Sequence, residues 1–389
     1  MNGFSAAALA RPLDATQGVW EFSHDFVARA VARYLRRRRL DWQGIARAYA
    51  APALFVLMAA TAAGAIAWDV NAADRARPSL AELGVEVLST PDGLEAIAGS
   101  RFKSQSLPEA DRLLAKLPVL RVLDLSRTEV ANVEPLKGLT GLLSLDLSRT
   151  EVASVEPLKG LTALQSLDLV GTNVMDLRPL AGLTALQSLT LFDTPVADLE
   201  PLKGLTGLQS LNLDSTQIAE VEPLKGLTAL QSLDLSFTDV VNVQPLKGLT
   251  ALRELNLYST QVANLEPLKA LSALETLDLN GTQVANVEPL KGLSALQSLN
   301  LFGTKVANLE PLKGLTALRE LNLNSTQVAN LEPLKGLTAL RTLDLSATKV
   351  ADLTPLQDLP NLTKVNGVAD EELKKLNAYR GSINLPLVK

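Results

Sequence analysis

The chain has 389 residues, of which 47% are hydrophobic but only 4% aromatic, so its core must be built from aliphatic side chains. The absence of cysteine excludes disulfides and thiolate metal sites, and the single histidine, His24, removes most imidazole-based catalytic arrangements. The net charge of −5 hides an asymmetry: residues 1–47 carry eight arginines against Asp14, Glu21, Asp25 and Asp41, a balance of +4, which leaves −9 on the remainder and argues against nucleic acid as its partner.

Residues 1–47 read as a basic helical segment. The stretch WEFSHDFVARAVARYLRRRR, from Trp20, predicts one helix. Ser23 caps it, Asp25 sits in its first turn and the arginines gather at its end, matching the helix dipole. Phe22, Phe26, Ala30 and Tyr34 recur every four residues as an apolar stripe, and His24 is a structural or solvated side chain.

The uncharged run 48–68, AYAAPALFVLMAATAAGAIAW, is 21 residues long, enough to cross a hydrocarbon core of about 30 Å as a helix. Tyr49 and Trp68 stand at its edges, where amphipathic rings favour the headgroup level. Seven arginines from Arg29 to Arg47 precede it, while only Arg75 and Arg77 follow closely. Positive residues stay on the cytoplasmic side, so a single-pass inner-membrane topology is predicted, N-terminus inside and the rest outside, with 69–77 as linker. A buried Ala-rich helix in a soluble protein is the alternative.

Residues 78–113 break the pattern that follows and are assigned as an N-terminal cap. Across 114–355, eleven units of 22 residues succeed one another without insertion, each opening on a leucine such as Leu136 or Leu158. Counting that leucine as position 1, apolar residues recur at positions 4, 7, 10, 12, 17 and 20; in one unit these are Leu139, Leu142, Leu145, Leu147, Val152 and Val155. Residues 356–389 start a decaying twelfth turn and end in a capping helix at 369–379.

The pattern L-x-x-L-x-x-L-x-x-L-x-L-x-x-T-x-V-x-x-V-x-P resembles the 22-residue leucine-rich repeats of bacterial internalin-like proteins over more than 60% of the chain. The resemblance implies an α/β solenoid: a leucine-rich repeat arc with a parallel sheet on its concave face. The residues agree independently. Leu145-Asp146-Leu147 alternates as a half-buried strand does, which predicts strands at 122–125, 144–147 and every 22 residues to 342–345. Pro157 and Gly160 leave the return stroke too short for an α-helix, so extended and 3-10 turns are expected on the convex side.

The family usually has asparagine where this chain has Thr128, Thr150, Thr172 and their equivalents to Thr348. A hydroxyl supplies one donor and two acceptor sites, so these threonines read as an inward-facing structural ladder. Glu134 with Lys137, and the same pair in later units, reads as a solvated convex face with no binding role.

The concave face carries the candidate ligand-binding residues. Position 11 supplies Asp146, Asp168, Asp234 and Asp278; position 13 supplies Phe192, Asp214, Tyr258 and Phe302; position 14 supplies Phe237. Exposed aromatics on a rigid sheet suit a protein ligand. Duplication and drift without a selected ligand is the alternative. One aspartate per strand gives no set of six converging oxygens, so no metal and no cofactor are expected.

The helix from Trp20 also resembles, over about thirty residues, the tail of the ATPase module in some bacterial STAND-type signalling NTPases. No G-x-x-x-x-G-K-[ST] phosphate loop occurs, so NTP hydrolysis is not supported. Two functions follow: a membrane-anchored recognition module held by 48–68, or the sensor end of a cytoplasmic STAND-like protein. No enzyme activity is expected, and oligomeric state leaves no mark on the sequence.

Overall fold

The computed structural model describes residues 11–14, 19–21 and 76–389, apart from 91–92, 99–101, 103, 115–116 and 118–119. The apolar run 48–68 and the arginine-rich run before it lie outside the described residues. No helix among the described residues is long and apolar enough to cross a membrane.

Near the N-terminus the structure corrects the expected helix at its start. Val19–Glu21 is a strand, paired antiparallel with Arg11–Asp14 so that Trp20 faces Pro12. Valine and tryptophan favour extended backbone, and proline is tolerated in an edge strand. The stripe from Phe22 onward lies outside the described residues.

In the unit that follows, fourteen strands form one sheet in chain order. Val85–Thr90 and Gly93–Ala98 form an antiparallel hairpin, and Leu120–Asp124 then adds in parallel. Every later strand is three residues long and parallel, from Ser144–Asp146 to Lys364–Asn366, in a register that places Leu145 beside Leu167 and Leu167 beside Leu189. The strands end one residue earlier than expected, yet the ladder continues: the Leu147 amide donates to the Asp168 carbonyl at 2.9 Å.

The period explains the interior. Leu142, Leu145, Leu147, Val152, Val155, Leu158 and Leu161 are all at most 1% exposed, and the same positions are buried in unit after unit. No unit could bury this face alone; stacking makes one continuous aliphatic core. On the return stroke, Glu156–Gly160 is a 3-10 turn with Pro157 early in it, and no α-helix occurs between 120 and 369. Most such turns are begun by position 19: Asn132 Oδ1 accepts the Glu134 amide at 2.9 Å, and Asn264 serves Glu266 at 3.0 Å.

At the N-terminal end, a helical turn at 76–82 buries Ala76 and Leu80. At the other end the twelfth turn keeps its strand, Lys364–Asn366 paired with Thr342–Asp344, and the repeat then gives way to a helix. Gly367 (φ 76°) then lets the chain turn, because a Cβ there would stand 2.1 Å from the Ser346 nitrogen. The helix Asp370–Ser382 brings Arg380 fully inside. Its guanidinium donates to the carbonyls of Leu356, Gln357, Leu359, Leu362 and Pro386 at 2.8–3.3 Å. The planar fork thus meets, with Nη1 shared among Leu356, Gln357 and Leu359, carbonyls that a further repeat would otherwise cover.

Candidate recognition face

The acidic stripe expected to meet a ligand is largely occupied with holding the strands. Asp146 Oδ1 accepts the Ser148 amide at 2.8 Å, Asp168 Oδ1 that of Val170 at 2.9 Å, Asp234 Oδ1 that of Ser236 at 2.9 Å and Asp278 Oδ1 that of Asn280 at 2.8 Å. Asn212, Asn256, Asn300 and Asn322 do the same at position 11 of their units. The second oxygens also tie neighbouring units: Asn256 Nδ2 donates to Asp234 Oδ2 at 3.0 Å, and Asn300 Nδ2 to Asp278 Oδ2 at 2.9 Å. An oxygen acceptor two residues before an exposed amide is what closes the turn leaving each strand, and charge is not required for that.

The threonines are buried as expected, at 1–7% exposure from Thr128 to Thr326. Each hydroxyl donates to the carbonyl three residues back in its own unit, as Thr150 Oγ1 does to Leu147 at 2.6 Å and Thr238 Oγ1 to Leu235 at 2.6 Å. The convex charges also pair within units, exemplified by Lys137–Glu134 at 3.2 Å and Lys335–Glu332 at 2.8 Å, with the side chains mostly exposed. Around residue 178 the pattern breaks: Arg178 replaces the glutamate and forks onto Asp176, holding that carboxyl down to about 2.

Among the candidate aromatics the structure brings two together. Phe237 and Tyr258, from adjacent units, meet edge to face with centroids 4.6 Å apart and planes at 70°. Phe192 and Phe302 are half-buried and lie two units away on either side, about 10 Å at the spacing of neighbouring strands.

Phe237 has an uncommon backbone. Position 14 is left-handed in every unit, and its occupants from Arg127 to Ala347 are mostly glycine, serine, aspartate or arginine. Phe237 holds φ 51° there and is 50% exposed. A left-handed L-residue costs roughly 1–2 kcal/mol, and the ring, half exposed, sets against it one edge contact with Tyr258 and no hydrogen bond. Neither sequence period nor composition reveals this corner; the recurrence of Gly171, Gly281 and Gly303 at position 14 was the available signal.

The left-handed corners of four successive units line a shallow groove of about 590 Å³, bounded by Gly171, Asp193, Pro195, Ser215, Gln217 and Phe237. Burial pushes the Asp214 carboxyl up, against the Ser215 hydroxyl, with nearby Asp234 adding to the shift. Asp168 is likewise raised by burial, opposed by the Val170 amide and reinforced by Asp146 and Asp124. Among the described residues no group of histidine, aspartate or glutamate side chains is arranged to hold a metal ion.

The family model for leucine-rich repeats (two copies) matches residues 184–226, 228–270, 250–292, 272–314, 294–336 and 316–361. An internalin from Listeria monocytogenes is 31% identical, the match covering 66% of this chain and 76% of that one, with a TM-score of 0.63. A leucine-rich repeat protein from Leptospira interrogans is 20% identical, covering 69% of this chain and 78% of its own, TM-score 0.60. The ectodomain of a plant membrane receptor kinase from Arabidopsis thaliana, in complex with Casparian strip integrity factor 2, is 22% identical, covering 72% and 38%, TM-score 0.60. No curated protein sequence matches the chain. The chain belongs to the leucine-rich repeat family, with repeats of the internalin type. Leucine-rich repeat domains are commonly protein-binding recognition modules.

Proposed function

We propose that this protein is a membrane-anchored recognition module that binds a protein partner on the strand side of its solenoid, with Phe237 and Tyr258 as the anchor. The carrying observation is the exposed Phe237 on left-handed backbone, braced by Tyr258. Aromatic anchors dominate interface energetics, and a half-exposed ring held on costly left-handed backbone suits such an anchor. The plant ectodomain of the same fold, bound to its partner, supports the use of such a scaffold for protein recognition. Anchoring rests on the uncharged run 48–68 and the arginines before it.

The test is site-specific photo-cross-linking in the native cell. A benzophenone amino acid is placed at Tyr258 in one variant and at Lys225, on the convex side, in another. A discrete protein adduct from position 258 but not from 225 is expected; adducts from neither, or the same adducts from both, overturn the assignment.

A further inference from the structure

Within the repeat array, the described large hydrophobic side chains left exposed are Met175, Phe237 and Val241, all between residues 171 and 241. The same stretch has a distinct charge. Its strand-side segments 165–173, 187–195, 209–217 and 231–239 carry Asp168, Asp193, Asp214, Asp234 and Asp239 and no lysine or arginine. The equivalent segments on either side hold Arg149 and Arg253. Arg253 is paired with Glu275 at 2.5 Å, whereas the carboxylates of Asp193 and Asp239 make no hydrogen bond or ion pair among the described residues.

We propose, resting on the recognition reading above, that the groove ending at Phe237 takes a lysine- or arginine-bearing peptide segment of the partner protein, its basic side chain laid over the aromatic pair and its charge among Asp193, Asp214 and Asp239. Two features point to this chemistry. Asp214 lies one strand and Asp193 two strands from Phe237, about 5 and 10 Å at the spacing of parallel strands. An arginine or lysine side chain has an apolar stem of that order and a terminal cation, so it spans from ring to carboxylate. The ring face of Phe237 attracts the same cation, an attraction that strengthens as water is excluded. Arg149, at the far end beyond Gly171, limits the basic stretch to the aromatic end of the groove.

The experiment uses the full chain, immobilised at physiological salt, and a random heptapeptide library displayed on phage as the probe. Selected peptides are expected to be enriched in arginine and lysine over the input library. Their binding should weaken roughly five- to tenfold with either Phe237→Gly or Asp193→Asn, as loss of a cation–π contact or of a partly desolvated charge partner implies. Peptides that depend on Phe237 but are neutral or acidic would leave the recognition face standing and overturn its cationic specificity. Basic peptides indifferent to Phe237→Gly would mean simple attraction to an acidic chain, which also overturns it. The absence of any Phe237-dependent peptide removes both readings. Circular dichroism of each variant checks that the solenoid is intact.

Discussion

Phe237 donates its amide to the carbonyl of Tyr258 at 2.9 Å while their rings meet edge to face, so one left-handed corner is joined to the next unit by backbone and side chain together. Glycine suits φ 51° without steric cost, and the edge contact it removes contributes about 0.5–1.5 kcal/mol. The two effects nearly cancel. Phe237→Gly is therefore expected to change unfolding free energy by less than about 1 kcal/mol in denaturant titration, while peptide or partner binding falls. A loss of several kcal/mol would assign the ring to the fold.

Faces of the array are separated by a second comparison. Leu233 is 1% exposed, and its truncation to alanine is expected to cost about 2–5 kcal/mol. Lys225 pairs with Glu222 at 3.2 Å on the exposed side, and Lys225→Ala should stay within about 0.5 kcal/mol. Thr238→Val keeps shape but deprives the buried Leu235 carbonyl of its 2.6 Å donor, with an expected cost of about 1–3 kcal/mol. A neutral valine would reduce the threonines to packing.

The core was readable because a 22-residue period fixes which side chains face inward, and the burial of Leu145, Leu147 and Val152 follows directly. That the strand-side aspartates also close turns was not legible, because an alternating polar residue looks the same whether it faces a ligand or accepts a turn amide. The interchange of Asp234 with Asn256 and Asp278 with Asn300 carried the distinction: the position keeps an oxygen acceptor and not a charge. The adjacency of Phe237 and Tyr258 was implicit in register, since positions 14 and 13 of consecutive units lie side by side. Arg380 was not readable, because nothing local distinguishes an arginine that plugs the end of an array from one on a helix surface.

That plug gives the next prediction. Arg380→Met removes the guanidinium donors and leaves the buried Leu362 carbonyl without its partner; Arg380→Lys restores only three donors, without the planar fork. Both variants are expected to destabilise by about 3 kcal/mol or to open the C-terminal end locally. Hydrogen exchange should show lost protection at Lys364–Asn366 and the helix Asp370–Ser382, with Leu211 and Leu233 amides unchanged. Protection that is uniform along the array would deny Arg380 its capping role.

Asp168 offers a test by pH. Burial holds its folded pKa above the ordinary carboxylate value, so the folded chain binds this proton more tightly than the unfolded one. Its contribution is favourable below the unfolded pKa of about 3.9 and is lost as pH rises through the folded pKa. Asp168→Asn keeps the acceptor for the Val170 amide, and the new amide is placed to donate to Asp146 as Asn256 does to Asp234. The variant should be more stable than the parent at pH 7, by less than about 1 kcal/mol given solvent screening, with the gain vanishing toward pH 3. A gain that is constant with pH would trace to the new hydrogen bond alone.

The proposed anchoring has its own test, made simple by the lack of cysteine. One thiol is introduced at Ala347 in one variant and at Ser5 in another. Ala347 is exposed, and its left-handed backbone already carries a Cβ, so Ala347→Cys adds only a sulfur pointing to solvent. Seven arginines before the run 48–68 against two after it set the expected orientation, with the repeats outside. Intact spheroplasts are treated with a membrane-impermeant maleimide, then lysed and treated again. Labelling at Ala347→Cys before lysis, and at Ser5→Cys only after it, is the expected result. Labelling of both only after lysis would place the array in the cytoplasm and favour a STAND-like sensor.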